Sequence, residues 1–159
     1  MRKCDNMINE NLRKGRCTVF KRKIYSKMQE WKKDSNGKTA LLIEGARRIG
    51  KSTVVEEFAK NEYGSYILID FARASKETKE LFEDVSDLNF LFLQLQLQFK
   101  VDLQERESVI IFDEVQLCPA ARQAIKALVA DRRYDYIETG SLISINKNVK
   151  NILIPSEER

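Results

Sequence analysis

The sequence predicts an α/β fold, a mostly parallel sheet held between helices in a three-layer α/β/α sandwich. Three observations predict it. Short apolar runs at residues 39–44, 65–71, 108–113 and 134–139 alternate with stretches that carry helical signals. The runs are apolar nearly throughout, as strands covered by helices on both faces must be. Glycine, acidic and hydroxyl residues gather just beyond them, where parallel sheets of this kind bind their ligands.

Residues 1–18 are polar, charged and without periodicity, so they read as a poorly ordered basic arm ahead of a domain spanning 19–159. From Val19 to Lys33, Ile24, Met28 and Trp31 recur at helical spacing, and Asp34-Ser35-Asn36-Gly37 supplies a stop. Thr39 to Glu44 reads as the first strand. Ser52 to Asn61 reads as a helix that turns Val54, Val55 and Phe58 inward. The second strand, Ser65 to Phe71, gives way to the polar stretch Arg73-Ala74-Ser75-Lys76. Leu88 to Val101 fits both periods, because Leu93, Leu95 and Leu97 alternate with glutamines while Phe92, Leu95 and Phe99 fit a helical stripe. We assign it as helix, since parallel neighbours need a crossover between them. Ser108 to Asp113 is the third strand, Pro119 to Ala130 a proline-opened helix, and Tyr134 to Thr139 the fourth strand. No internal repeat or low-complexity tract interrupts this order.

Composition narrows the chemistry. With 159 residues, 43% hydrophobic and 33% charged, the chain can bury one sizeable core. No stretch approaches the roughly 18 apolar residues of a membrane span, and no signal peptide follows the N-terminus, so a cytoplasmic protein without a membrane partner is expected. Cys4, Cys17 and Cys118 have no metal or disulfide spacing and read as reduced thiols. The absence of histidine excludes Ser-His-Asp and Cys-His catalysis. The net charge of +4 is uneven, with 12 Lys/Arg against 4 Asp/Glu in residues 1–40. That arm is a candidate nucleic-acid footprint, but a solvated surface is the stronger reading. Only Phe20, Tyr25 and Trp31 offer stacking surfaces there, and two of them are expected to pack against the core or an adenine.

Gly45-Ala46-Arg47-Arg48-Ile49-Gly50-Lys51-Ser52 matches G-x-x-x-x-G-K-[ST], follows a predicted strand and opens a predicted helix. Glycines let the backbone wrap a phosphate, the loop and helix N-terminus offer N–H donors, and Lys51 brings a cation to the β- and γ-phosphates. Ser52 is placed to ligate Mg²⁺, and Thr53 continues the phosphate-binding group into the helix. ATP and Mg²⁺ are the ligands expected. Val109-Ile110-Ile111-Phe112-Asp113-Glu114 has the form of a Walker B segment: Asp113 as a Mg²⁺ ligand and Glu114 as general base. At the end of the fourth strand Thr139, and after it Ser141, are candidates to contact the γ-phosphate or the attacking water. Arg47 and Arg48 are candidates to meet phosphate or a neighbouring subunit. Arg122, Arg132 and Arg133 are arginine-finger candidates that one sequence does not rank.

Residues 42–52, 110–116 and 137–141 resemble prokaryotic AAA-type P-loop ATPases that join an N-terminal ATPase domain to a C-terminal domain of uncharacterised function. The resemblance covers roughly Phe20 to Arg159. It implies a P-loop NTPase fold, Mg-dependent ATP binding and hydrolysis, and a sheet in which the sensor strand lies between the loop strand and the acid-bearing strand. By position it carries roles onto Lys51, Ser52, Asp113, Glu114 and Thr139, with Glu114, Lys51 and Thr139 as the catalytic set. Relatives continue past the equivalent of Ser156-Glu157-Glu158-Arg159 into a fifth strand, a lid and a second domain. The expectation is therefore a C-terminally truncated core that binds nucleotide better than it hydrolyses it. A non-catalytic nucleotide-binding fragment or regulatory module, and a DNA-associated ATPase using the basic arm, are the alternatives. A homo-oligomer or a partner protein stays open.

Overall fold

The computed structural model of the chain describes residues 23–46 and 48–141. The basic arm, the start of the first predicted helix, Arg47 and the segment 142–159 lie outside the described residues.

Helix α1 (Lys23–Ser35) buries Tyr25, Met28, Trp31 and Ser35, one face at helical spacing. Tyr25 takes the inward position expected of Ile24, which packs at the margin of the same cluster. The chain leaves α1 through Ser35, whose hydroxyl accepts from Thr39 N at 3.1 Å, and through Gly37 at φ +75°. A side chain at residue 37 would also collide with the Arg106 guanidinium. Strand β1 (Leu41–Gly45), helix α2 (Lys51–Glu62) and strand β2 (Ser65–Asp70) follow. A short helix α3 (Lys76–Glu80) then interrupts the stretch read as merely polar, with Ser75 capping its Thr78 N–H. Helix α4 (Leu88–Phe99) settles the ambiguous period as helix, capped at its N-terminus by the Asp87 carboxylate on Phe90 N at 3.0 Å. Strand β3 (Ser108–Asp113), a 3-10 turn (Val115–Leu117), helix α5 (Pro119–Asp131) and strand β4 (Asp135–Ser141) complete the described elements.

The four strands are all parallel, in the order β1-β4-β3-β2. The expected placement of the fourth strand between the first and third is thus observed. Register explains why β4 runs past Thr139: Leu42, Ile43, Glu44 and Gly45 pair with Glu138, Thr139, Gly140 and Ser141. Residues that looked like a strand end in isolation are held extended by the loop-bearing strand beside them.

Side chains of successive strand residues point to opposite faces, and the sheet builds two cores from this alternation. Val109, Ile111, Ile137 and Ile43 meet Met28 and Trp31 of α1 and Val55, Phe58 and Ala59 of α2. Ile110, Phe112, Tyr136 and Ile69 meet Leu91, Phe92 and Leu95 of α4 and Ile125 and Leu128 of α5. The result is the predicted three-layer sandwich. Among the described residues no helix is long and apolar enough to cross a membrane.

Two of the arginine-finger candidates are engaged within the fold. Arg122 is buried on α5 and ion-paired with the fully buried Glu138 of β4, so it cannot extend to a neighbouring subunit. Arg133 lies over the Phe92 ring at 4.7 Å and pairs with Asp131 at 2.7 Å. Arg132 is exposed at the left-handed C-cap of α5. At the amino ends of the strands, Asp135 accepts from Tyr63 Oη at 2.7 Å and from Arg106 Nη1 at 3.0 Å. Burial, reinforced by the Asp135 carboxylate, raises the Tyr63 phenol far above its usual range.

Phe58 is fully buried, with the Tyr25 and Tyr63 rings packed edge-on at 5.4 and 6.0 Å. Phe58→Ala removes the ring that joins α1 and α2 to the sheet. It should destabilise the fold by about 3–5 kcal/mol in urea unfolding. A loss under about 1 kcal/mol would show that this core is loosely packed.

Candidate functional site

The site is built at the carboxyl ends of β1, β3 and β4. Gly45 ends β1 under the loop that follows: a Cβ there would lie 2.8 Å from Ile49 Cδ1, the end of an exposed side chain that would have to swing aside. Gly50 stands at φ +84° immediately before α2, a glycine conformation, and offers no side chain to cap the helix. The first N–H groups of α2 therefore open onto the loop without a side-chain cap, the arrangement that makes a helix N-terminus receptive to anions. Ala46, Arg48 and Ile49 are exposed along the loop, and Gly50 is partly so. Arg47 lies outside the described residues. Lys51, first residue of α2, is buried, and its ammonium donates to the carbonyls of Gly45 at 3.2 Å and Ala46 at 2.8 Å. The loop thus curls around its own lysine. Thr53, exposed on the first turn, contributes no side-chain hydrogen bond to this geometry.

Opposite the loop, three elements converge on one carboxylate. Ser52 Oγ donates to Asp113 Oδ1 at 2.7 Å, and Thr139 Oγ1 donates to the same oxygen. Thr139 Oγ1 in turn accepts from the backbone N–H of Glu114 at 3.3 Å. Glu114 adopts a left-handed backbone at φ +53°, uncommon for a residue with a side chain, and turns the chain out of β3 into the 3-10 turn. Ser141 is buried and lies opposite Gly45 in the β1–β4 register. Each of Lys51, Ser52, Asp113, Glu114 and Thr139 is accordingly brought to one end of the sheet.

The sequence reading missed Gln116 as a site residue. Its amide is buried and donates to the Glu114 carboxylate. The available signal was a polar residue two positions past the acidic pair, within the otherwise apolar run Val115-Gln116-Leu117-Cys118. Burial raises the Cys118 thiol above its usual range and favours its protonated form. Cys4 and Cys17 lie outside the described residues.

The donor chemistry suits a small hard cation. Among the described residues no three His, Cys, Asp or Glu side chains gather into a metal cage. One hydroxyl, on Ser52, and one carboxylate, on Asp113, are together at the loop. Mg²⁺ is commonly held in this sparse way, with phosphate oxygens and waters completing its shell.

Thr139 is fully buried and serves Asp113 and Glu114 at once. Thr139→Val keeps the shape and removes both hydrogen bonds. The unliganded protein should lose about 1–3 kcal/mol in denaturant unfolding. An unchanged midpoint would show that the hydroxyl contributes no net stability.

A family model described as an AAA domain matches residues 37–154. No curated protein matches the chain. The matched stretch contains the loop, the Asp113-Glu114 turn and Thr139, all on the parallel sheet described above. The chain belongs to the AAA domain family, a nucleotide-binding domain of ATPase type.

Proposed function

We propose that this chain binds Mg-ATP through residues 45–53 and hydrolyses it with Glu114 as general base. The observation that carries the reading is the Ser52–Asp113 hydrogen bond of 2.7 Å, which joins the start of the loop helix to the end of the acid-bearing strand. A glycine loop alone would suit many anions. With a carboxylate and a hydroxyl held together beside it, the loop suits a phosphate chain that carries a divalent cation.

The roles follow from position. Lys51 exchanges its two loop carbonyls for phosphate oxygens when the anion enters. Ser52 and Asp113 would hold Mg²⁺, which would neutralise phosphate charge and orient the phosphate chain. Glu114, at the left-handed turn that follows β3, accepts a proton from the attacking water. Thr139 fixes that turn by accepting the Glu114 N–H. Gln116 orients the Glu114 carboxylate by donating to it, and so acts as a positioning residue.

Lys51→Ala should weaken ATP binding at least about tenfold in titration calorimetry, or ~1.4 kcal/mol. Unchanged affinity would overturn the phosphate-loop assignment. The two acids should fail differently: Glu114→Gln keeps ATP affinity and slows turnover, whereas Asp113→Asn weakens the Mg²⁺ dependence of binding. Identical defects in Mg²⁺ titrations and turnover assays would remove the distinction drawn between them.

For Gln116, the test is a double-mutant cycle. Gln116→Leu should lower kcat about tenfold with KM for ATP nearly unchanged, and should cost nothing further in a Glu114→Gln background. Additive losses would mean that Gln116 supports the fold and not the carboxylate.

A further inference from the structure

Helix α4 has two apolar faces. One packs Leu91, Phe92 and Leu95 into the core. The opposite face exposes Phe90 (54%), Leu93 (52%) and Leu97 (64%), spaced three and four residues apart as in the seam of a coiled coil. In a chain that is 33% charged, none of the helix's 12 residues is Asp, Glu, Lys or Arg. Asn89, Gln94, Gln96 and Gln98 lie on the flanks between the two faces, and an outward apolar stripe of this kind marks a contact surface.

The arrangement of residues along α4 identifies the cover. Phe90 and Leu97 are equidistant from the midpoint between Leu93 and Gln94, and so are the two exposed charges that flank the helix, Asp87 and Lys100. We infer that the outward face of α4 docks on the same face of a second copy of this chain, the two helices antiparallel about a twofold axis at that midpoint. Phe90 of each copy then meets Leu97 of the other, and the acidic N-cap of each meets the basic C-cap of the other. Antiparallel helix dipoles add to this complementarity. A parallel pairing would set Asp87 against Asp87 and Lys100 against Lys100, so the charges select the antiparallel arrangement. A closed twofold contact needs only this one self-complementary patch. The helix is about 18 Å long. One such helix per copy buries less than the roughly 1,200 Å² of a standard stable interface, so the association is reversible and concentration-dependent.

The test uses the full chain in sedimentation equilibrium from low micromolar to submillimolar concentration. The expected result is a monomer–dimer equilibrium that Leu97→Lys weakens at least about tenfold, because the change removes two apolar contacts from one twofold interface. Lys100→Asp should weaken it as well, by setting like charges opposite each other, and adding Asp87→Asn should restore part of the loss while keeping an N-cap acceptor. Leu97 and Lys100 are exposed, and circular dichroism of each variant verifies that the fold is kept. Orientation is read by oxidation in a Cys4→Ser, Cys17→Ser background. Phe90→Cys and Leu97→Cys chains should cross-link when mixed, and neither should do so alone, since like positions lie about 10 Å out of step along the axis. A monomer at every concentration, a dimer indifferent to Leu97→Lys, or cross-linking of Leu97→Cys with itself would each overturn the proposal.

Discussion

One carboxylate oxygen, Oδ1 of Asp113, is the point on which the site depends. It accepts from Ser52 at the start of α2 and from Thr139 on β4, so a helix and two strands are joined through a single atom. The strand order makes this feasible. Because β4 lies between β1 and β3, Thr139 can serve the acid turn while its neighbours Gly140 and Ser141 pair with the end of the loop-bearing strand. The left-handed backbone of Glu114 is held in the same way: its N–H is taken by Thr139 and its carboxylate by Gln116. Strain of that kind persists where the surroundings over-determine it.

The layers were legible because they follow from local pattern. Val109-Ile110-Ile111-Phe112 is apolar without alternation, which requires cover on both faces, and both faces are covered. The Leu88–Phe99 segment was not decided by its own period; the need for a crossover between parallel strands decided it, and the helix observed agrees. Boundaries were read less well. Strand β4 was expected to stop at Thr139 because Gly140 and Ser141 look like turn residues in isolation, and only the pairing with β1 keeps them extended. Helix α3 is illegible because its five polar residues carry no apolar periodicity, and only the Ser75 cap and the Lys76–Glu80 pair at i,i+4 mark it.

The candidate site was legible where residues adjacent in sequence act together, as in the loop and the acidic pair. It was illegible where partners are distant. Nothing near Arg122 shows that Glu138 lies beneath it, and an arginine that could have been a reaching finger turned out to be an interior cation. The role of Gln116 depends on a turn geometry that a positive φ creates, and no residue-type pattern announces a left-handed glutamate.

The register of β1 bears on how the protein comes to be folded. The glycine loop is made well before β4, yet among the described residues the strand that precedes it pairs only with β4. The β2–β3 pair, closer in sequence, can close first. Contacts of such long separation form slowly and leave intermediates with open strand edges. A nascent chain therefore carries the finished loop sequence, which ends at Ser52, without the neighbour that shapes it until Ser141 has been added. The loop-bearing strand gains that neighbour along its whole length only when Ser141 comes into line with Gly45.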